Sequence, residues 1–544
     1  MRIERTRNAK RNILVGVINR FVSIIIPFIT RTIMIRTLGV EFLGLDSLFA
    51  SILQVLNITE LGVSSAIVYS MYKPIAADDD ETICALLNLY RKVYRFIGII
   101  ILILGLLIIP FLPKFINNNP SFGGGTPTDI NLYIVYIVFL VNAVIGYLFY
   151  GFKTAIPTAM QRLDLVTGVN TITKVISSIA QIIVLLYAVH SSSGYGNIYY
   201  IYIIILPCAT ILNNLIISRL VDTYYPNYTC KGQVSDDIKH VIKEKVSGLV
   251  INKICSTTRN ALDSICISTF LGLALTTVYN NYYYIITSLI SIIGVISSSI
   301  LAGIGNSVVL ESKEKNYNDF RKLNFLYMLL SGWCTIYLIT LYQPFMQLWV
   351  GEVYMFPFSV VICFCAYFYV LKMGDVRATY SDAVGLWWEN RYRAIAESVA
   401  NILLNIILVQ IWGVYGIILA TVISLLIINF GLGSHIVFKY YFGVRNLYNY
   451  FFDHFKYFAI TAFVCLFTLF VCSTANELIG NGIFTGVTSF PLRTLAVNFI
   501  IASVVPGFCY FIIYRFTNIY KISIPWFLDR VKVGNKISKV IKPE

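Results

Sequence analysis

Residues 13–35 read ILVGVINRFVSIIIPFITRTIMI, an apolar run interrupted by Arg20 and Arg31. It is too long for the apolar core of a cleavable signal, and no small-residue cleavage site follows it. A helix needs about 20 mostly apolar residues to cross the hydrocarbon core of a bilayer, so this stretch is read as a first membrane span. The rest of the chain repeats the pattern. Further spans are expected near 46–70, 94–116, 131–152, 167–189, 198–217, 246–271, 278–303, 323–349, 357–380, 394–411, 414–438, 456–474 and 493–514. The fold class is therefore all-α, a polytopic integral membrane protein of about fourteen transmembrane helices. Only Trp412 and Gly413 separate two of the spans, which calls for a tight helical hairpin.

Composition supports this reading. Apolar residues make up 57% of the 544, charged residues 13%, and the mean hydropathy is +0.74. Soluble domains carry about 25% charge. The net charge of +15 would suggest nucleic acid in a soluble protein, but no soluble segment carries a basic stripe with interleaved aromatics. Instead the cations gather in alternate loops: Arg2, Arg5, Arg7, Lys10 and Arg11 at the N-terminus, Arg219, Lys231, Lys239, Lys243 and Lys245 in loop 218–245, and a basic C-terminal tail. Lys and Arg accumulate on the cytoplasmic side, so both termini are expected there, with an even number of spans.

Enzymatic signatures are missing. The sequence has no GxxxxGK[ST] loop, no HExxH and no GxSxG. Its four His are dispersed and its eleven Cys form no CxxC pair, which argues against a metal site or a disulfide framework. No cofactor is called for. The expected external loops, such as NNNPSFGGGTPTD from Asn117 to Asp129, are short connectors with no room for an extramembrane catalytic domain.

A faint repeat runs through the chain. Val17-Ile18-Asn19-Arg20 in the first span matches Val250-Ile251-Asn252-Lys253 in the seventh. Leu38-Gly39 matches Leu271-Gly272 at the same offset, and Arg91-Lys92 pairs with Arg321-Lys322. Six spans separate the copies, so both run in the same direction. This predicts two six-helix lobes related by a pseudo-two-fold along the membrane normal, an arrangement that recurs in carriers with substrate held between the lobes. The expected boundaries are 1–217 for the first lobe, 218–245 for a cytoplasmic linker, 246–438 for the second lobe and 439–544 for two further helices and the tail.

Charges within spans are costly, about 2.5–3.5 kcal/mol at a helix centre on insertion scales. Arg20, Arg31, Glu60, Lys174, Lys253, Arg259 and Asp263 are the candidates. Arg20 and Arg31 are eleven residues apart, which returns them to nearly one face about 16 Å apart. With Asn19, Ser23 and Thr30 they suggest a polar rail on the first helix. Arg31 has the alternative of snorkelling to the outer interface. Arg259 and Asp263 are spaced i,i+4 and suited to neutralise each other. Glu60 is either a structural partner for an Arg or a proton-coupling site. Lys372 and Arg377 are expected to snorkel or to join a helix-end ion pair, and Tyr282-Tyr283-Tyr284 to form an interfacial belt.

The segment from Thr37 to Glu81, TLGVEFLGLDSLFASILQVLNITELGVSSAIVYSMYKPIAADDDE, resembles the polysaccharide-transporter branch of the multidrug/oligosaccharidyl-lipid/polysaccharide flippase superfamily. Leu38-Gly39 and Gly44, then Glu60-Leu61-Gly62 and a Tyr-Lys-Pro exit, carry the resemblance, together with the basic first and seventh helices. It implies two lobes around a central cavity in the bacterial cytoplasmic membrane. It further implies export of undecaprenyl-pyrophosphate-linked oligosaccharide by alternating access for surface polysaccharide biosynthesis, with a polysaccharide polymerase as a partner. Cations on the first and seventh helices line the cavity in such proteins; the matching positions are Arg20, Arg31, Lys253 and Arg259. Glu60, Asp263 and Lys174 are left as coupling or structural charges. Sibling branches export drugs by cation coupling or flip peptidoglycan precursor, and a membrane polymerase or ligase is a further alternative.

Overall fold

A computed structural model of the chain describes residues 5–57, 63–117, 126–127, 129–190, 194–235, 255, 257, 261–481 and 485–540. Glu60, Lys253 and Arg259 lie outside the described residues. The described secondary structure is helical, and the chain is an all-α polytopic membrane protein. Among the described residues ten helices are long and apolar enough to span a membrane, eleven if one bent pair counts as a single span.

The chain begins with α1 (Arg5–Thr37), α2 (Val40–Leu56), α3 (Val63–Ala76) and α4 (Asp80–Ile108). After α5 (Leu132–Leu148) come a 3₁₀ turn (Gly151–Thr154), α6 (Ala155–Ala159), α7 (Leu163–His190) and α8 (Tyr195–Tyr224). Next are α9 (Ala261–Leu271), α10 (Leu273–Leu310) and α11 (Lys313–Val350). Then follow α12 (Phe358–Met373), α13 (Asp375–Val384), α14 (Arg391–Trp412) and α15 (Val414–Ser424). The α15 rod continues to Phe442 as a π-helical stretch (Leu425–Leu432), α16 (Gly433–Val437) and a second π turn (Phe438–Phe442). The last elements are α17 (Arg445–Leu478), α18 (Pro491–Tyr514) and α19 (Asn518–Val540).

Side-chain caps mark several starts. Asp79 accepts from the Thr82 backbone N–H at 3.0 Å and its hydroxyl at 2.6 Å, opening α4. Asn131 accepts from the Tyr133 and Ile134 amides at α5, and Ser312 from Lys315 at α11. Each satisfies backbone donors that the first turn of a helix leaves open. The Leu-Gly pairs noted in the sequence sit at two alike turns. Gly39 has φ +107 and bonds back to the Met34 carbonyl; Gly272 has φ +98 and bonds back to Ile267. A residue with a Cβ is strained at such φ values, so both turns call for glycine.

The expected span 46–70 is divided between α2 and α3. The expected span 131–152 bends by 54° where α5 meets residues 151–159. Tyr150 at that corner takes a left-handed conformation, φ 56, which breaks the helix. Gly413 between α14 and α15 has φ +55, the tight hairpin expected there. The C-terminal tail, expected only as basic, contains the helix α19, whose Trp526 lies 5.5 Å from the Lys322 ammonium.

Packing divides the chain into two compact units. One comprises Met1–Asn281 with Asn405–Gly413, the other Tyr282–Leu404 with Val414–Glu544. In the first unit α1 lies on α7, α7 on α8, α8 on α5 and α5 on α4. Glycines allow the closest approaches. On α4, Gly98 faces Tyr147 and Leu148, and Gly105 faces Leu140 and accepts from the Tyr136 hydroxyl through its carbonyl at 3.1 Å. On α2, Gly44 meets the backbone of Leu273 so closely that a Cβ would lie 2.5 Å from its carbonyl oxygen. Small residues serve this purpose in membrane helices because lipid gives no hydrophobic drive and van der Waals contact must supply the attraction. In the second unit α11 packs on α12, α17 and α18.

Candidate functional site

The polar residues of α1 do not all serve one rail. Asn12 donates to the Gln161 carbonyl at 3.0 Å and accepts from the Asp164 amide at 2.7 Å. Asn19 accepts from Thr171 at 2.9 Å, and Ser23 accepts from the Lys174 ammonium at 3.3 Å. These side chains bind α1 to α7. Thr30 is buried and turned back onto its own helix at the Ile26 carbonyl. Arg20 is exposed on the side of α1 and Arg31 is half-buried. Asn19 and Ser23 thus join the α7 seam rather than a common open face with Arg20.

Arg31 belongs to a cluster that spacing could not reveal. Its Nε donates to Asn281 Oδ1 on α10 at 3.3 Å. It lies within electrostatic reach of Asp46 on α2 and of Tyr202 on α8. Asp46 accepts from the Tyr199 hydroxyl at 2.7 Å and is also hydrogen-bonded to Tyr202. The two tyrosine rings stack at 6.2 Å, and Phe42 packs edge-on to Tyr199 at 4.9 Å. One acid, one arginine, two phenols and an amide are therefore gathered from α1, α2, α8 and α10. Arg31 is thus hydrogen-bonded to an amide and lies within electrostatic reach of a carboxylate inside the first unit.

Asp263 on α9 is buried and receives two neutral donors, Asn405 Nδ2 at 2.8 Å and the Tyr279 hydroxyl at 3.1 Å. Its expected partner Arg259 is outside the described residues, as are Lys253 and Glu60.

A second charged network occupies the other unit. Lys372, buried at the end of α12, pairs with Asp375 at 2.7 Å, the helix-end ion pair expected for it. Arg377 does not snorkel. It is buried, donates to Asn429 Oδ1 at 2.9 Å, and lies against Gly374 and Gly433, where any Cβ would crowd the guanidinium. Asn429 in turn donates to Glu397 at 2.8 Å, and Glu397 pairs with Arg393 at 2.6 Å. The π-helical widening at 425–432 carries Asn429 into this network; such widenings commonly accommodate side-chain demands within a helix.

The tyrosine triplet is corrected in part. Tyr282 is fully buried, stacked at 5.3 Å on Tyr342 and at 5.7 Å on Phe364, and its hydroxyl serves Gln343 and the Phe356 amide. It is a core residue, not part of an interfacial belt; an aromatic with a satisfied hydroxyl is as much at home in a packed interior as at a headgroup.

No family model matches the sequence, and no curated protein matches it. Solved structures do match the fold. A lipid II flippase MurJ in an inward closed conformation superposes with TM-score 0.61 at 16% identity, covering 92% of this chain and 99% of that one. The chain has the fold of these transporters. An inward-facing multidrug resistance MATE family transporter of the MOP superfamily gives 0.56 at 14% identity over 75% of this chain and 92% of its own. A variant of the Vibrio cholerae MATE transporter VcmN gives 0.51 at 14%, over 82% and 99%. At these identities the likeness is one of fold.

Proposed function

We propose that the chain is a flippase that moves undecaprenyl-pyrophosphate-linked oligosaccharide across the bacterial cytoplasmic membrane by alternating access. The observation that supports this most directly is the pair of arginines on the membrane-spanning helix α1, Arg20 exposed and Arg31 half-buried with its guanidinium oriented by Asn281. A cation exposed within a span is expensive in lipid, so α1 calls for a hydrated, anion-accepting environment on that side. Arg matches phosphate oxygens in pairs, and Lys acts as a point charge. On this reading Arg20, Arg31, Lys253 and Arg259 hold the pyrophosphate while the polyprenyl tail stays in the bilayer. Fold likeness to a lipid II flippase supports a lipid-linked cargo. Membership of the polysaccharide-transporter branch, the two lobes at 1–217 and 246–438, cytoplasmic termini and a polysaccharide polymerase as partner belong to the same proposal.

The potential can drive the cycle without a coupled ion. Moving one charge across 100 mV is worth about 2.3 kcal/mol. Pyrophosphate neutralises the arginines on the loaded step, and the emptied, positive site is then drawn back by the negative interior.

A second reading, a cation-coupled multidrug exporter, is favoured by Asp46 and Asp263, two acids held largely by neutral donors. One assay separates the two. Purified protein is titrated with a fluorescent polyprenyl pyrophosphate and with cationic dyes. Binding of the pyrophosphate, weakened by Arg20→Ala, is the expected result. Dye binding without pyrophosphate binding overturns the flippase reading and leaves the exporter.

A further inference from the structure

A basic cavity of ≈ 470 Å³ opens on the first unit, away from the arginines of α1. It lies where the N-terminal part of α4, the corner after α5 and the C-terminal end of α8 meet the segment 228–231. Arg91, Arg95, Lys153 and Lys231 line it, against one carboxylate among the described lining residues, Asp222. Lys153 matches that carboxylate at 2.7 Å and is further fixed by Ser218 at 2.8 Å. The other three cations leave the lining positive.

The cavity wall is built, not a chance gathering of surface lysines. Asn88 donates to the Gly232 carbonyl at 2.9 Å and accepts from Arg91 at 2.8 Å, so one amide ties the segment to α4 and aims the guanidinium. Cys84 accepts from the Thr229 amide at 3.3 Å. Tyr225 and Tyr228 stack at 6.3 Å. Cys230 reports the local field: burial pushes its thiol up, and Arg91, Lys153 and Arg95 oppose that shift.

What lies next to the cations identifies the ligand. From Arg95 the i,i+4 ridge of α4 continues through Ile99 and Ile103 to Leu107, with Phe96 beside it, and all four apolar side chains are exposed. Their 3-4-4 spacing keeps them on one stripe. Eleven residues of helix cover about 16 Å, about the depth of one leaflet of a ~30 Å hydrocarbon core. Phe149 is exposed beside it at the cavity edge. A free phosphate has no use for this stripe, whereas an acyl chain attached to the phosphate does. Basic pockets at the ends of membrane helices hold anionic headgroups by this combination of charge and depth.

We propose that this cavity is a binding site for an anionic glycerophospholipid, its phosphate among Arg91, Arg95 and Lys231 and an acyl chain along the α4 stripe. The site is separate from the proposed transport residues and stands whatever the cargo is.

The test uses the full chain purified in detergent, stripped of lipid and titrated with phosphatidylglycerol or phosphatidylcholine, with retained lipid counted by native mass spectrometry. Phosphatidylglycerol should be retained at least about tenfold more tightly. Arg95→Gln with Lys231→Gln, both exposed positions that folding tolerates, should remove most of that preference. A matched pair at exposed sites elsewhere, Arg445→Gln with Lys521→Gln, should keep it. Equal loss in both pairs, or no loss in the first, overturns the proposal in favour of diffuse attraction. Full displacement of phosphatidylglycerol by millimolar inorganic phosphate overturns it in favour of a free-anion pocket. No transport substrate enters the measurement, so failure of the flippase reading would leave its outcome unchanged.

Discussion

The hydroxyl of Tyr199 donates to Oδ1 of Asp46 across 2.7 Å, joining α8 to α2 over 153 residues of sequence. Asp46 also lies in reach of Arg31, so this bond helps to set where the α1 arginine points. A hydrogen bond to a buried polar group contributes about 1–3 kcal/mol when its loss leaves the partner unsatisfied. Tyr199→Phe keeps the ring that packs on Phe42 and Tyr202 and removes only the donor. It should lower the unfolding temperature of the purified protein and weaken pyrophosphate binding together. An unchanged melting curve would show that Tyr202 alone satisfies the acid.

Gly44 offers a contrast with Gly146. A methyl group on Gly44 would lie 2.5 Å from the Leu273 carbonyl, while one on Gly146 meets nothing within 4 Å. Overpacking of this kind costs about 1–3 kcal/mol, and Gly→Ala in an open helical position gains up to about 1 kcal/mol. Gly44→Ala is therefore expected to destabilise and Gly146→Ala to be neutral or stabilising, measured as unfolding temperatures in the same detergent. Equal behaviour would contradict the tight α2–α10 contact.

Asn429 bridges Arg377 and Glu397, giving one hydrogen bond and accepting another. Asn429→Ala loses both, each to a charged group and each worth about 1.5–3 kcal/mol. Asn429→Asp would instead place a second carboxylate beside Glu397. The alanine variant should unfold several degrees earlier than the parent. Retention of the parental unfolding temperature would mean that the network reorganises around the gap.

Arg20 and Lys253 carry the transport proposal in cells. Arg20→Ala or Lys253→Ala should abolish export of the surface polysaccharide while folded protein still reaches the membrane, since removing a cation from a span relieves insertion cost. Surface polysaccharide is measured beside the membrane-protein level. Full export by both variants would sink the site assignment.

The sequence by itself determined the membrane class and most of the helices, because a spanning helix must satisfy its backbone internally and face lipid with about 20 apolar residues. That demand is local and survives without an alignment. Leu38-Gly39 and Leu271-Gly272 were legible for a similar reason: each turn needs a positive φ at its glycine, here +107 and +98, and the requirement lies within the turn itself. Only the tertiary structure decided which polar side chains meet. Asp46 is the first residue of the expected span 46–70 and gave no signal, because its partners Tyr199 and Arg31 lie on other helices. Ser23 and Asn19 shared a side of α1 with the arginines by helical arithmetic, yet α7 brought Lys174 and Thr171 to them from about 150 residues away. The basic cavity likewise needed α4, α8 and the segment after it in one place. Periodicity fixes the face of one helix; which neighbour covers that face depends on packing among many, and that information is spread over the whole chain.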